Sequence, residues 1–375
     1  MNATILSSNK KVNWRQVGWF LLLTFLLSWT LDLLLHLTAG YGGNTTTLVA
    51  LQLQMLIPAF FAILLSVFFF KNKAIYVGNS PGRPRWFFYF YLVFTLLYAV
   101  ALVLVFIYPG QATIASAITS SLSLLGLLVL IALRAFSGRE AFARAGLKGG
   151  RFKDWLLYGL AFVIFYAAQS GLNALFGLGQ AVDPIQAMQS LGGAGPDGMS
   201  PQVFMLLAGV QTVLAGPLVG LIIAFGEEYG WRGYLQSELV KIGKVRGVLL
   251  LGLIWSVWHY PVIWMGHNYP GQPLWGTLLM TVYTTSLAFV LGYVMLKTGS
   301  IWLVAFLHAI NNQAASYFLA LVYQPDSPVW SFGSGIFGLL TLIPIVLLIL
   351  RDPIWRDTPR TEQPALQPSP AKKPA

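Results

Sequence analysis

The segment Phe225–Leu235 reads FGEEYGWRGYL and stands at the end of a long apolar run. It places two acids, Glu227 and Glu228, close to a cation, Arg232. The chain is only 9% charged and 57% hydrophobic, so three neighbouring charges at an apolar segment need an explanation. An ionisable side chain at membrane depth is costly and usually functional. The segment therefore predicts a functional site, and the rest of the chain must supply its partners.

The composition indicates an integral membrane protein. The 375 residues include 14% aromatic side chains, and the mean hydropathy is +0.69. Apolar runs of about 20 residues, the length of a membrane-spanning helix, recur along the chain. We therefore expect an all-α fold, a polytopic transmembrane helical bundle. The chain has no cysteine, which excludes disulfides, thiol nucleophiles and cysteine metal ligands.

The net charge of +11 could suggest a nucleic-acid partner. The basic residues, however, lie in short loops beside the apolar segments, as the positive-inside rule describes. We therefore expect the lipid bilayer as a partner and no nucleic acid. The compact loops and basic tail fit a prokaryotic plasma membrane.

About ten spans are predicted, and because Lys and Arg occupy alternate loops, both termini are placed in the cytoplasm. The predicted spans are Val17–Leu37, Leu48–Phe70, Phe87–Tyr108, Ile114–Leu133, Trp155–Leu178, a sixth from near Val203 into the opening segment, Val248–Met265, Leu274–Leu296, Ile301–Val322 and Phe332–Leu350.

The two acids of the segment Phe225–Leu235 are expected to have different roles. On a helix, Glu228 and Arg232 are four residues apart and can pair. Glu227 lies about 100° further round the helix and has no partner in its own segment. One acid would then fix the helix while the other is free to react. The alternative is a charge cluster that only marks a helix end.

Two histidines on later spans favour the functional interpretation. His259 lies well inside the seventh span, and His308 lies inside the ninth with Asn312 on the same helical face. Polar groups grouped around a wet cavity can satisfy one another, whereas each alone in lipid would be costly. To bring Glu227 to the depth of His259, the sixth helix must continue to about Leu239, with a kink near Pro217. This places the predicted site in the cytoplasmic half of the membrane.

Other polar residues are weaker candidates. Asp32 and His36 in the first span could form a proton relay, but we expect a local ion pair near the outer surface. His267 is expected to be solvated in an outside turn. Gln169 and Asn173 are expected to form hydrogen bonds between helices.

The residues themselves indicate an intramembrane hydrolase. A glutamate is a suitable general base for water. Glu227, His259 and His308 could instead hold one Zn²⁺ with water in the open position. The chain lacks the helical H-E-x-x-H motif of common zinc proteases, so the residues leave both chemistries open, with one divalent metal or none.

The order of three motifs in the sequence resembles that of a known protein family. Glu227-Glu228-x-x-x-Arg232, an aromatic-x-x-x-His ending at His259, and His308-x-x-x-Asn312 together resemble the CPBP intramembrane protease family. That family groups type II CAAX prenyl endopeptidases with bacteriocin-processing and self-immunity proteins. The resemblance covers about Val203–Tyr323.

The resemblance implies an endopeptidase acting on a membrane-associated protein or peptide. By this analogy Glu227 activates water with help from His259, and His308 and Asn312 stabilise the oxyanion. Glu228 and Arg232 support the scaffold or meet the substrate C-terminus. The family is called a metalloprotease family, which would imply a metal.

The second motif usually opens with Phe in that family and here opens with Trp255. This exchange is expected to alter packing or substrate fit rather than chemistry. The implied organisation comprises a cytoplasmic N-terminus (1–16), an N-terminal membrane region of about five spans (17–200), a CAAX-protease-like catalytic core (201–323), a final span (324–350) and a disordered basic Pro-rich tail (351–375).

Two other functions stay open from the sequence. One is a non-catalytic self-immunity or partner-binding membrane protein on the same scaffold. The other is a transporter with a proton relay through Asp32 and His36. The absence of an internal repeat in the sequence argues against the transporter.

Overall fold

The structure is a computed structural model that describes residues 11–38, 40–42, 45–73, 75–79, 82–108, 110, 112–190 and 199–356. The predicted disordered tail beyond residue 356 lies outside the described residues. In chain order the helices and strands are α1 (Trp14–Thr38), α2 (Thr45–Leu64), α3 (Pro84–Ile107), α4 (Ala112–Ser137), α5 (Arg139–Arg144), α6 (Phe152–Leu175), β1 (Gly179–Ala181), α7 (Pro184–Ser190), α8 (Pro201–Val210), α9 (Gly216–Val219), α10 (Leu221–Glu228), α11 (Gln236–Leu239), α12 (Lys244–Trp264), α13 (Pro273–Thr298), α14 (Ile301–Ser316), β2 (Tyr323–Pro325) and α15 (Ile336–Ile349).

The fold is the predicted polytopic helical bundle. In the described residues, eight helical segments are long and apolar enough to cross a membrane. The predicted ninth and tenth spans are also helical but shorter. The ninth is α14, which continues as a π-helical segment, Tyr317–Val322, and the tenth is α15.

The sixth predicted span continues through the opening segment, as expected. Its irregular turns lie on either side of Pro217: a π-helical segment at Gln211–Ala215 and a turn at Gly220. Helical hydrogen bonding still passes through this turn, because the Gly220 N–H donates to Gly216 O at 2.8 Å. Residues 221–239, which we call the motif helix, then follow as α10, a π-helical segment Tyr229–Leu235, and α11. The prediction of a helix reaching Leu239 is confirmed.

The two ends of the bundle differ sharply in charge. Among the described residues, every Lys and Arg except Arg232 lies at or near one end of the helices, which we call the basic face. These residues are Lys11, Arg15, Lys71, Lys73, Arg83, Arg85, Arg134, Arg139, Arg144, Lys148, Arg151, Lys153, Lys241, Lys244, Arg246, Lys297, Arg351 and Arg356.

Contacts between loops agree with this division. At the basic face, Lys73 pairs with Glu238 at 3.1 Å and Lys244 donates to the Ile354 carbonyl at 2.9 Å. At the opposite face, β1 pairs with β2 in antiparallel register, Gly179 facing Pro325. Each contact joins loops that the alternating charge pattern assigns to the same side.

The motif helix forms the centre of the core. Residues 221–232 are all buried. Phe225 stacks on Trp302 of α14, with ring centroids 4.5 Å apart. On the other side Gly226 lies against α2, where a Cβ atom would stand 2.3 Å from the Met55 carbonyl oxygen. Glycine is therefore required here for the two backbones to meet.

Candidate active site

Glu228 and Arg232 form the predicted pair on the motif helix. Arg232 Nη1 donates to Glu228 Oε1 at 2.9 Å, and both side chains are fully buried. The guanidinium also lies over the Trp255 ring, 4.1 Å from its centroid, a favourable cation–π geometry. Neither Glu228 nor Arg232 lines the cavity described below. Their position fits the expected scaffold role rather than contact with a substrate C-terminus.

Glu227 faces two other helices. The Trp255 indole N–H of α12 donates to Glu227 Oε2 at 2.7 Å. His308 Nε2 of α14 lies 3.9 Å from Glu227 Oε1, too far for a direct hydrogen bond. The expectation that Trp255 affects only packing or substrate fit is therefore too narrow, because its indole N–H binds the candidate base.

His308 lies between the two acids. Its Nδ1 is 2.6 Å from Glu228 Oε1, on the oxygen that also accepts from Arg232. Because a carboxylate can only accept, Nδ1 carries the proton, and Nε2 is directed toward Glu227. The histidine beside Glu227 is thus His308.

His259 is held differently. Its Nδ1 lies 2.8 Å from the carbonyl oxygen of Trp255 one turn earlier, and a carbonyl can only accept. Nδ1 is therefore protonated, and Nε2 of a neutral ring is an acceptor. In the described part of the chain, His259 makes no direct hydrogen bond or ion pair with Glu227.

Asn312 belongs to a chain of polar contacts that starts in the core. Tyr166 and Tyr283 donate to Oδ1 of the buried Asn311 at 2.7 and 3.0 Å. Asn311 Nδ2 in turn donates to Asn312 Oδ1 at 3.2 Å. With its oxygen engaged, the exposed Asn312 is left with its NH₂ group as a donor.

One cavity of about 390 Å³ is lined by Glu227, Trp255, His259, His308 and Asn312. The convergence of the four predicted residues on one cavity, from three separate helices, agrees with the sequence expectation. The tight helix packing at Gly226 and Gly230 holds the motif helix against α2, whose residues Gln52 and Gln54 also line this space.

The position of the cavity differs from the expected cytoplasmic half. Loop residues that line it are His267, Asn268 and Ser334, all at the opposite face. No loop residue of the basic face is among the described lining residues. The reason is that the motif helix continues past Glu227 for more than two turns before it reaches the basic face, as a buried segment.

The described residues do not gather a metal site. Within them, no group of three or more His, Cys, Asp or Glu side chains could hold a metal ion. Glu227, His259 and His308, the candidate ligands, line the same cavity, and both histidines engage Nδ1, at Glu228 and at a carbonyl. A zinc-bound histidine has its second ring nitrogen engaged in the same way. One divalent metal or none at this cavity therefore stays a prediction.

Asp32, His36 and His267 do not make the contacts that were expected of them. Asp32 accepts from Gln54 at 3.0 Å, and His36 is exposed, so the expected Asp32–His36 ion pair is wrong. His267 is half-buried and hydrogen-bonded to Tyr41, so its expected solvation is also wrong. Burial lowers the pKa of His267 to about 4 and raises that of Tyr41 to about 12, so Tyr41 is the donor at neutral pH.

The prediction of a hydrogen bond between helices is confirmed for Gln169, whereas Asn173 bonds to a loop. Gln169 of α6 donates to Thr341 of α15 at 2.9 Å. Asn173 joins α6 to the loop before α15, since it donates to the Phe332 carbonyl at 3.2 Å.

Comparisons with known proteins identify the same segment. Residues 209–314 match the family described as "Type II CAAX prenyl endopeptidase Rce1-like". The match includes Glu227, His259, His308 and Asn312. A curated relative from Methanococcus maripaludis, CAAX prenyl protease 2, is 30% identical over 98 residues.

This segment is therefore similar to type II CAAX prenyl endopeptidases, the proteases that the three sequence motifs resemble. The aligned region covers 24% of this chain and 36% of the curated relative, so the comparison concerns only part of each protein. No solved structure matches the chain significantly.

Four residues that contact the candidate site were not predicted from the sequence. Tyr166, Tyr283 and Asn311 orient Asn312, and Trp255 binds Glu227. Asn311 could have been predicted, because it directly precedes the candidate Asn312. Isolated tyrosines on apolar helices, such as Tyr166 and Tyr283, carry no comparable signal in the sequence.

Proposed function

We propose that the protein is an intramembrane endopeptidase that hydrolyses peptide bonds of membrane-associated proteins or peptides. The observation that carries the proposal is the convergence of Glu227, His259, His308 and Asn312 on one cavity in the segment that matches the family. The family match supports a protease, and the residue roles below rest on the contacts.

Glu227 is proposed as the general base. Its Oε2 is fixed by the Trp255 indole N–H, which leaves Oε1 facing the cavity. The unprotonated Nε2 of His259 is a second acceptor on the same cavity. A water molecule that donates one hydrogen to each would be oriented for attack, which accounts for help from His259 without direct contact between the two side chains.

His308 and Asn312 are proposed to bind the oxyanion. Hydroxide from the water attacks the scissile carbonyl carbon, and the oxygen of that carbonyl becomes negative. His308 Nε2–H, in the protonated ring, and the Asn312 NH₂ group can donate to it from fixed positions. The proton taken by Glu227 then passes to the leaving amine as the C–N bond breaks.

Charge balance supports a protonated His308. Glu228 and Arg232 cancel each other, which would leave Glu227 as an uncompensated buried charge. An imidazolium at His308 neutralises the group, and isolated buried charges are strongly disfavoured. Glu228 and Arg232 are thus positioning residues, since they act through His308 and do not line the cavity.

The test is cleavage of a membrane-anchored fluorogenic peptide by the purified protein in liposomes. Glu227→Gln keeps the shape of the side chain but cannot take a proton, and it should abolish cleavage, as should His259→Ala. Glu140→Gln, at a fully solvated acid, should retain wild-type activity. Full cleavage by Glu227→Gln would refute the proposed role of Glu227.

The self-immunity or partner-binding alternative makes the opposite prediction. There, the biological effect of the protein would survive Glu227→Gln because no chemistry is needed. Metal analysis of the purified protein, with and without chelator, tests whether one Zn²⁺ accompanies the proposed acid–base chemistry.

A further inference from the structure

We propose that the catalytic cavity takes its substrate from the face opposite the basic face, so that the scissile segment is an uncharged stretch of a peptide on the non-cytoplasmic side of the membrane. This inference deepens the proposed function and rests on it for the cleavage step. The side from which the cavity is reached, however, can be measured without cleavage.

The first observation is the distribution of charge, which indicates the side of the membrane on which each end of the bundle lies. Among the described residues, the Lys and Arg side chains, apart from the buried Arg232, lie at the basic face. Loops of the opposite face carry the acids Asp183 and Asp326 instead. Short loops rich in Lys and Arg stay in the cytoplasm. The opposite face is therefore the non-cytoplasmic one.

The second observation is which half of each helix lines the cavity. From α2, which starts at the opposite face, the lining residues are the early ones, such as Leu51 and Gln54. From α12, which ends there, they are the late ones, such as His259 and Val262. The π-helical end of α14 contributes Leu319. The cavity thus extends from Glu227 toward the non-cytoplasmic loops.

The third observation is that the cavity is closed toward the basic face. Beyond Glu227, the motif helix presents Trp231, Leu235 and Leu239, each 0% exposed. Beside Leu239, Glu238 is held by Lys73 at 3.1 Å. A substrate on the cytoplasmic side would have to displace this packed layer to reach Glu227.

The mouth of the cavity is polar and open. Asn268, Asn312 and Ser316 line it and are exposed. Their amide and hydroxyl groups can bind the backbone of an extended peptide. No Lys or Arg is among the described lining residues, and the proposed imidazolium of His308 lies between Glu227 and Glu228, so the cavity offers no free cation to a terminal carboxylate. The lining therefore suits an internal, uncharged peptide segment.

The absence of cysteine in the chain allows a direct test. Ser316→Cys reports on the cavity, Asp183→Cys on the non-cytoplasmic loops and Arg139→Cys on the basic face, and all three positions are exposed. Each variant is treated with a membrane-impermeant maleimide in right-side-out and in inside-out vesicles. Ser316→Cys should label in the same vesicles as Asp183→Cys, and an uncharged peptide should slow this labelling. Labelling in the same vesicles as Arg139→Cys would overturn the inference.

Cleavage gives an independent result. An impermeant fluorogenic peptide should be cut when added to right-side-out vesicles and not when added to inside-out vesicles. Labelling of Ser316→Cys from the non-cytoplasmic side without any cleavage would uphold the direction of access and count against the endopeptidase. Cleavage only in inside-out vesicles would uphold the endopeptidase and overturn the direction of access.

Discussion

At the residue scale, Trp255 connects the two parts of the site. Its N–H fixes Glu227 Oε2 at 2.7 Å, and its ring face covers Arg232 at 4.1 Å. The first contact concerns the proposed base, and the second concerns the scaffold pair. A substitution that separates the two contacts therefore tests which of them the reaction needs.

Trp255→Phe is such a substitution. Phenylalanine keeps an aromatic face for Arg232 but removes the donor to Glu227, and a hydrogen bond to a charged group contributes about 1.5–3 kcal/mol. If this hydrogen bond orients the base, the cleavage rate should fall by about tenfold or more, with little change in KM. Trp264→Phe, at an exposed tryptophan near the end of the same helix, is the matched control. Equal rates in the two variants would show that the indole N–H is dispensable.

His267 should make stability depend on pH. Burial lowers its pKa from 6.5 to about 4, so the folded protein keeps it neutral in a range where the unfolded chain binds a proton. The stabilisation is complete above pH 6.5 and is lost as the pH falls from 6.5 to 4, by about 1.4 kcal/mol per pH unit. His267→Gln should flatten the thermal stability of detergent-solubilised protein across this window.

His36→Gln is the control for this effect, because His36 is exposed on α1. It should retain the acid-side loss of stability seen in the wild type. If His267→Gln keeps the same pH slope as His36→Gln, the burial of a neutral His267 is not the cause.

At the scale of the element, the motif helix depends on two glycines with a defined partner. A Cβ atom at Gly226 would lie 2.3 Å from Met55 O, and one at Gly230 would lie 2.4 Å from Pro58 Cβ. Both contacts are with α2. At Gly233 the nearest atom is Cδ2 of Tyr229, on the motif helix itself, at 3.2 Å.

Gly226→Ala and Gly230→Ala should therefore push α2 away from the motif helix. Overpacking of this kind costs about 1–3 kcal/mol, and here the displaced atoms include backbone, which cannot rotate aside. Both variants should lower the thermal stability and the cleavage rate. Gly233→Ala should be tolerated, because only an aromatic side chain must shift. Loss of stability at Gly233 alone would contradict this assignment.

At the scale of the whole molecule, the sequence predicted the fold well, because lipid leaves few choices. Backbone groups in a bilayer must be satisfied within the chain, so a long apolar run becomes a helix. The alternating basic loops then fixed which ends meet, as the contacts of Lys73 and Lys244 confirm. The tenth span was predicted from Phe332, but α15 begins only at Ile336, because residues 332–335 (FGSG) lie in the preceding loop.

The sequence predicted which residues line the cavity better than it predicted the contacts between them. Charged and polar residues on apolar helices stand out, so Glu227, His259, His308 and Asn312 were found. Which histidine lies beside Glu227 depends on how α12 and α14 are rotated about their axes relative to the motif helix. Helical spacing alone carries no information on this rotation, and His308, whose Nε2 lies 3.9 Å from Glu227 Oε1, is the histidine beside Glu227.

Glu238 joins three distant parts of the molecule at the basic face. It binds Lys73 at 3.1 Å and the Asn13 backbone N–H at 3.2 Å, besides Lys241 in the turn that follows the motif helix. The N-terminal segment, the loop after α2 and the end of the motif helix therefore share one buried carboxylate.

Glu238→Gln keeps the size of this side chain and removes its charge. The half-buried cation of Lys73 would then lack its charged partner, and we expect a loss of about 1–3 kcal/mol in the free energy of unfolding. The matched control is Glu140→Gln, whose partner Arg144 lies 3.7 Å away in a fully exposed pair. Exposed pairs contribute at most about 1 kcal/mol, so the control should leave the melting temperature nearly unchanged. Equal melting temperatures for the two variants would mean that the basic face is held by its apolar contacts and not by Glu238.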